Sequence, residues 1–345
     1  MATQKARFAS ALDDSGTKLP TQNYAAEDLH KMCTAMLTAA GGSEQDSEYV
    51  AGTLVNASLA GVDSHGVIRM ERYIGGIEEG SVHPGEKHEV IVDKGSMALM
   101  DGKNTFGQIV ARDAIALCLG KAKQHGLAMV SCVNTGHIGR VGEYALTAAK
   151  AGYVALCCVN GGAIVAPFGS KSRVLGTNPI CCAVPVEHGE PLLIDLATSI
   201  QAEGKVMASL HKGATLPEDT IINSDGLPSK IPRELYEGGS LLTVGGAGHG
   251  HKGSALSIMV DVLGGMLSGT GPSFGVDSAR RPFFNNGTFF LCIDPGILRP
   301  FADFLGDVEL LKRSVRAAVP RKKGGGEVQL PGEPELEIEA GWLIS

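Results

Sequence analysis

The chain has 345 residues, 43% of them hydrophobic, with 47 glycines, only 5% aromatics and a formal net charge of −7. At about 150 residues per domain this is roughly two domains with enough apolar content for a buried core, which excludes a disordered or fibrous protein. Lys and Arg number 30 against 37 acidic residues, so no basic nucleic-acid surface is expected, and no apolar run approaches the ~18 residues of a membrane span.

Residues 23–40 place Leu29, Met32, Cys33, Met36, Leu37 and Ala40 at helical spacing, with Gly41-Gly42 as a stop. Ser43, with Asp46 three residues on, resembles a capping box and opens a helix over 44–60. A third helical pattern runs from Ser64 to about Glu79. After Pro84 the period changes. Strands are predicted at 90–92 and 97–100, a helix at 107–124, a strand at 127–133 and a helix at 141–150. Strands at 153–159, 179–186 and 192–195 follow, then a helix at 200–210, a strand at 241–244, a helix at 253–267, a strand at 288–293 and a helix at 301–318. Lys322-Lys323-Gly324-Gly325-Gly326 reads as a flexible joint before an acidic end with Glu333, Glu335, Glu337 and Glu339. Eight cysteines without a C-x-x-C spacing read as buried free thiols of a reducing compartment. Residues 1–18 lack an apolar leader core, and a cytoplasmic address is expected.

Gly248-His249-Gly250-His251-Lys252-Gly253 formally matches the dinucleotide fingerprint G-x-G-x-x-G. The fingerprint also needs an acidic residue about 20 positions past its last glycine, at the end of a second parallel strand. Here the next strand ends near Asp294, about twice too far, so a Rossmann fold is not expected. The glycines and Lys252 before a helix could still hold a phosphate. No Gly-Lys pair is followed by Ser or Thr, so a Walker A loop is absent. His249 and His251 have no Cys, Asp or Glu at ligand spacing, and no metal site is expected.

Ser64-His65-Gly66-Val67-Ile68-Arg69 carries more chemistry. On a helix starting here, His65 and Arg69 would share a face about 6 Å apart, with Tyr73 one turn on. Arg69 would grip a carboxylate and His65 would move a proton; an ordinary solvated helix face explains the same spacing. A Ser64-His65 nucleophile pair is disfavoured because adjacent side chains diverge and no G-x-S-x-G elbow exists. Asn134 to Gly142, Gly169 to Pro179 and Asp195 to Ser199 are polar loops at strand ends, and together they point to one cleft.

In order along the chain, Gly61 to Gly66, Gly136 to Arg140, Ala166 to Gly169 with Gly176 to Pro179, Asp195 to Ser199 with Gly204 to Val206, His251 to Gly253 and Pro331 to Glu333 resemble the type-2 malate/L-lactate dehydrogenase family. That family includes ureidoglycolate, sulfolactate and diketogulonate-type enzymes and a piperideine-2-carboxylate reductase. The resemblance runs from about Asn23 to Glu335 and implies NAD- or NADP-dependent interconversion of a small 2-oxo acid and 2-hydroxy acid, or reduction of a cyclic imino acid. It implies an α/β fold that is not Rossmann, with a mixed or largely antiparallel sheet flanked by helices, working as a homodimer. It divides the chain into a helical domain of 20–86 plus 298–345, on the substrate side and at the dimer contact, and an α/β cofactor-binding domain of 87–297. By position, His65 is implied as proton donor, supported by Ser64 and Asp195, although His137 holds that role in some members. Arg69 and Thr177 are implied at the substrate, and the spacing from His65 and Arg69 adds Tyr73 there. His137, Ile138, Gly139, Arg140, Val141, Asp195, Leu196, Ala197, His251, Lys252, Gly332 and Glu333 are implied at the cofactor. A non-catalytic cofactor-binding homologue is a third reading, raised by a tail that ends soon after Glu333.

Overall fold

A computed structural model of the chain describes residues 24–273, 285–321 and 327–340. α1 (Ala26–Ala39) packs on α2 (Glu44–Leu59). The Ser43 hydroxyl accepts the Asp46 N–H at 3.1 Å and donates to the Asp46 carboxylate at 2.8 Å, so the expected cap forms. The third helix does not run as expected. Two 3₁₀ turns, Asp63–His65 and Val67–Arg69, precede α3 (Met70–Glu78), and Gly66 between them is extended. A Cβ at Gly66 would stand 2.1 Å from Ser58 Oγ of α2, so any side chain here must displace that hydroxyl, which accepts the Val67 N–H at 3.1 Å. His65 and Arg69 therefore do not share one helical face.

The remaining elements are β1 (Glu89–Lys94), β2 (Met97–Asp101), α4 (Gly107–His125), β3 (Leu127–Thr135), α5 (Gly142–Lys150), β4 (Val154–Asn160), β5 (Val165–Ala166), β6 (Ile180–Val184), β7 (Leu192–Leu196), α6 (Glu203–His211), β8 (Ile221–Ile222), β9 (Pro228–Ser229), α7 (Pro232–Tyr236), β10 (Ser240–Leu242), α8 (Gly246–Val260), β11 (Asn286–Ile293), α9 (Phe301–Arg316) and α10 (Glu333–Ala340). A π-helical turn, Asp261–Met266, continues α8.

Seven strands form the main sheet in the order β1-β2-β3-β11-β4-β6-β7. Only β2 and β3 run parallel; every other neighbouring pair is antiparallel. Among the described residues the sheet thus holds a single parallel βαβ crossover, β2-α4-β3, where a Rossmann sheet repeats that unit throughout. Successive residues of a strand face opposite sides, and both sides of the central strands are covered. Phe290 and Cys157 pack with Val110, Ala114, Tyr144 and Ala148 of α4 and α5, whereas Phe289 and Cys158 pack with Val260 of α8. Burial on both faces explains why these strands read as continuous apolar runs rather than alternating ones. A small sheet, β5-β10-β8-β9, has its own core around Val165, Ile221, Leu235 and Leu241. The N-terminal helices share theirs with Phe106 and Ile109 at the start of α4.

The fingerprint-like glycine stretch forms the first two turns of α8, which begins seven residues earlier than its apolar spacing implies. The glycines let α8 lie against the preceding chain: a Cβ at Gly250 would stand 2.9 Å from Thr243 Oγ1, and one at Gly253 2.4 Å from the Val244 carbonyl. At the other end of the chain, Gly332 abuts Leu193 of β7, and Ile338 of α10 abuts Gly61. α10 thereby ties the sheet edge to the N-terminal helices. All eight cysteines are free, and seven of them are buried. The glycine joint at 322–326 lies outside the described residues.

Candidate active site

Gly107 and Gly136 bring the site together. A Cβ at Gly107 would stand 2.2 Å from the Gly136 carbonyl, and one at Gly136 2.8 Å from the Thr105 carbonyl. The start of α4 therefore lies directly on the segment after β3. This contact sets Gln108, His137 and Tyr73 of α3 side by side. Gln108 Nε2 donates to the Tyr73 hydroxyl at 2.8 Å, and that hydroxyl is 2.7 Å from His137 Nδ1. The Gly139 N–H also points at Nδ1, at 3.3 Å. The His137 ring stacks on His65, centroids 5.5 Å apart and planes 12° from parallel. On the far side Ser64 Oγ is hydrogen-bonded to His65 Nδ1 at 3.0 Å.

Both histidines keep some exposed surface, but their rings are densely surrounded by protein. Burial, then the charges of Arg69, Arg140 and Lys205, lowers the His65 pKa from 6.5 to about 3. Burial, with His65, Arg69 and Arg72, holds His137 well below its ordinary value. Both rings are neutral at pH 7, in a setting rich in positive charge.

Arg69 is 3% exposed. Its Nε donates to the Ser64 carbonyl at 2.5 Å, and its Nη atoms reach Glu203 Oε2 at 3.3 and 3.4 Å. Arg72 Nη2 and the Tyr236 hydroxyl share Glu203 Oε1, at 3.2 and 2.9 Å. Two guanidiniums thus meet one carboxylate. The expected direct carboxylate anchor is held inside an ion-pair cluster, and its charge acts on the site from there. Tyr73, expected at the substrate, is 2% exposed and turned onto His137. Asp195, expected in a relay with His65, instead accepts the Gly142 N–H at 2.8 Å, where its charge suits the N-terminus of α5. Burial pushes its pKa up to about 6, against the opposing pull of that N–H and of Arg140.

Of the other expected residues, Ile138 and Val141 point into the core, so that stretch can offer a ligand only its backbone and Arg140. The Thr177 carbonyl accepts both the N–H and the hydroxyl of Thr198, which joins two of the three loops, with exposed Leu196 and half-buried Ala197 just before the junction. The Gly169 to Arg173 part of the middle loop goes elsewhere: Arg173 Nε donates to the Gly239 carbonyl at 2.6 Å, beside the small sheet. His251 and Lys252 are exposed on α8; His251 lies against Phe168, centroids 5.7 Å apart. Gly332, Glu333 and Arg140 help line a pocket of about 920 Å³, with Lys312 and Arg316 on the same wall. Glu333 accepts from Arg316 Nε at 2.9 Å.

The sequence model of the family described as malate/L-lactate dehydrogenase matches residues 24–341. The chain belongs to that family. It is 38% identical to a malate dehydrogenase of Pyrococcus abyssi over 298 residues, 86% of this chain and 81% of the relative. It is also 32% identical over 320 residues to a Delta(1)-pyrroline-2-carboxylate/Delta(1)-piperideine-2-carboxylate reductase of Pseudomonas syringae pv. tomato, 91% of this chain and 89% of that one. The crystal structure of malate dehydrogenase from Entamoeba histolytica superposes with a TM-score of 0.88 at 28% identity, covering 93% of this chain and 92% of that one. The malate/L-lactate dehydrogenase family is one of oxidoreductases, and this member is an enzyme with that family's non-Rossmann fold. Glu203 and Gln108 are site residues that the motifs did not mark. The only sequence signals for them are a carboxylate beside Gly204 and an amide beside Gly107, two glycines at close contacts.

Proposed function

We propose that this enzyme interconverts a small 2-hydroxy acid and its 2-oxo acid with a nicotinamide cofactor, NAD or NADP, and that His65 moves the proton. The observation carrying this reading is His65 stacked on His137 and hydrogen-bonded to Ser64, in the field of Arg69, Arg140 and Lys205. Such a site attracts a carboxylate and provides a base for a hydroxyl proton. Burial is the first cause of the His65 depression and the cations the second, so an anionic substrate, by offsetting those cations, raises the His65 pKa by that second part alone.

The residues present fit such a cofactor. Arg140 gives the 920 Å³ pocket a cationic group for a pyrophosphate, beside Lys312 and Arg316, which pair there with Glu309 and Glu333, and Gly332, with φ of +89°, lines the same pocket. When bound, the nicotinamide exchanges hydride with the substrate carbon. The likeness to the cyclic-imine reductase supports a second reading, in which the same site reduces a C=N bond.

We further propose a homodimer in the cytoplasm. Ile258, Met259, Val262, Met266 and Leu267 form an exposed apolar stripe along α8 and its π turn. Exposed Val90, Ile91 and Val92 lie on edge strand β1. Eight free thiols suit a reducing compartment, and no helix among the described residues is long and apolar enough to cross a membrane.

A panel of 2-oxo acids and cyclic imino acids, each with NADH and with NADPH and followed by loss of reduced-nicotinamide absorbance, tests the assignment. Turnover of a 2-oxo acid is expected. Turnover confined to imino acids moves the assignment to the second reading, and failure of every substrate together with failure to bind either cofactor overturns both.

A further inference from the structure

We propose that Tyr73 and Gln108 are positioning residues that lock His137 as the neutral Nε2–H tautomer, so that His137 serves the reaction as a hydrogen-bond donor while His65 carries the proton. The inference rests on the oxidoreductase reading above and divides the labour between its two stacked histidines.

The argument is one of donors and acceptors. The Gly139 N–H can only donate, and it points at His137 Nδ1 at 3.3 Å, so Nδ1 must present a lone pair. The Tyr73 oxygen lies 2.7 Å from that lone pair and receives a hydrogen from Gln108 Nε2 at 2.8 Å; at that distance two lone pairs would repel, so the phenol donates its proton to Nδ1. With Nδ1 accepting twice, the proton of the neutral ring sits on Nε2. Reversing the Gln108 amide would draw the Tyr73 proton to Gln108 and require an N–H at Nδ1, which would then face the Gly139 N–H. The polarity drawn here avoids that clash and leaves Gln108 Oε1, a weaker loss, as the buried atom without a hydrogen-bond partner.

A ring fixed in this way cannot take a proton at Nε2 without first losing one. It can donate Nε2–H to a carbonyl or alkoxide oxygen and stabilise charge there without changing its own protonation. His65 differs. Its Nδ1 faces a hydroxyl, Ser64 Oγ, which can donate or accept, so both tautomers and the protonated ring are open to it. In oxidation, the hydroxyl proton passes to a nitrogen of His65 as hydride leaves the carbon for the oxidised nicotinamide. The C=O bond forms and His137 remains neutral throughout. Reduction reverses each transfer.

The test is long-range ¹H–¹⁵N NMR of the full-length protein labelled at histidine, at pH 7.5 without substrate or cofactor. His137, assigned by its loss in His137→Gln, is expected to show one protonated nitrogen, Nε2. In Tyr73→Phe and Gln108→Leu the pattern is expected to move toward a mixture of tautomers, with kcat falling about ten- to a hundredfold, KM for the acid little changed and the pH profile keeping its shape. Gln108→Asn should recover part of the loss. An Nδ1–H ring or an imidazolium in the wild-type protein overturns the proposal, as does a wild-type tautomer in Tyr73→Phe and Gln108→Leu accompanied by the same kcat loss. The wild-type spectrum, once His137 is assigned, requires no turnover, so it can fail while the oxidoreductase assignment stands, and the substrate panel can fail independently of it.

Discussion

His65 and Asp195 hold their protons in opposite senses, and the difference should appear in stability as well as in rate. The folded pKa of His65 is about 3 against an ordinary 6.5. Between those values the unfolded chain binds a proton that the folded one does not, so stability falls as pH drops below 6.5. His137, also depressed, adds to the same slope. Asp195 is raised to about 6 from 3.8, so between those values the folded chain binds the extra proton and stability falls as pH rises. Two histidines against one carboxylate leave a net acid lability between about pH 4 and 6.5. Thermal melts across that range should show a smaller acid-side loss in His65→Asn than in the wild type and a larger one in Asp195→Asn. Parallel curves for the three proteins would contradict these assignments. The residue types were legible in the sequence, because a His and an Arg four positions apart can serve acid chemistry, although an ordinary solvated helix face reads the same way. Their wiring was not. Nothing in spacing shows that Arg69 meets Glu203 134 positions away, or that Asp195 serves α5 rather than His65.

At the scale of elements, close contacts at glycine hold the site. Gly204, in the first turn of α6, lies against the 3₁₀ turns: a Cβ there would stand 2.5 Å from Ser64 Cβ and 2.7 Å from Arg69 Nη2. Gly204→Ala must displace Ser64 or Arg69. It should cost about 1–3 kcal/mol of stability, as overpacking does, and loosen the Arg69–Glu203 pair. Denaturant melts and the KM for acid substrates check this, and an unchanged melt with unchanged KM would mean that α6 is free to move away. The long elements were readable from periodicity, and α2, α4 and β3 lie within a residue or two of their expected bounds. The break at Gly66 was not, because it goes with a contact to Ser58 of α2, whose hydroxyl accepts the Val67 N–H, and that contact leaves no mark in the spacing. The start of α8 was hidden for the opposite reason. Glycine favours loops in isolation, and here it is needed for contact inside a helix. β5, β8 and β9, two residues each, are too short to carry a period.

For the whole molecule, the family resemblance placed the fold class where alternation alone gave only mixed α/β. The exposed stripe on α8 and the bare edge of β1 make association the expected state of the chain. Light scattering should give about twice 35.8 kDa. Val262→Asp and Ile91→Asp, made separately, identify the interface by which one halves that mass, and a monomeric wild-type protein would rule the dimer out. The strand order has one more consequence. β11, residues 286–293, lies between β3 and β4 and is antiparallel to both, although the chain reaches β11 some 125 residues after leaving β4. The two sides of the main sheet therefore have no direct bond to each other until that strand arrives. During synthesis, β1-β2-β3 and β4-β6-β7 emerge as separate halves with facing edges exposed. A ribosome pause before β11, or truncation upstream of it, leaves two unpaired strand edges open to other chains; translation past residue 293 closes them.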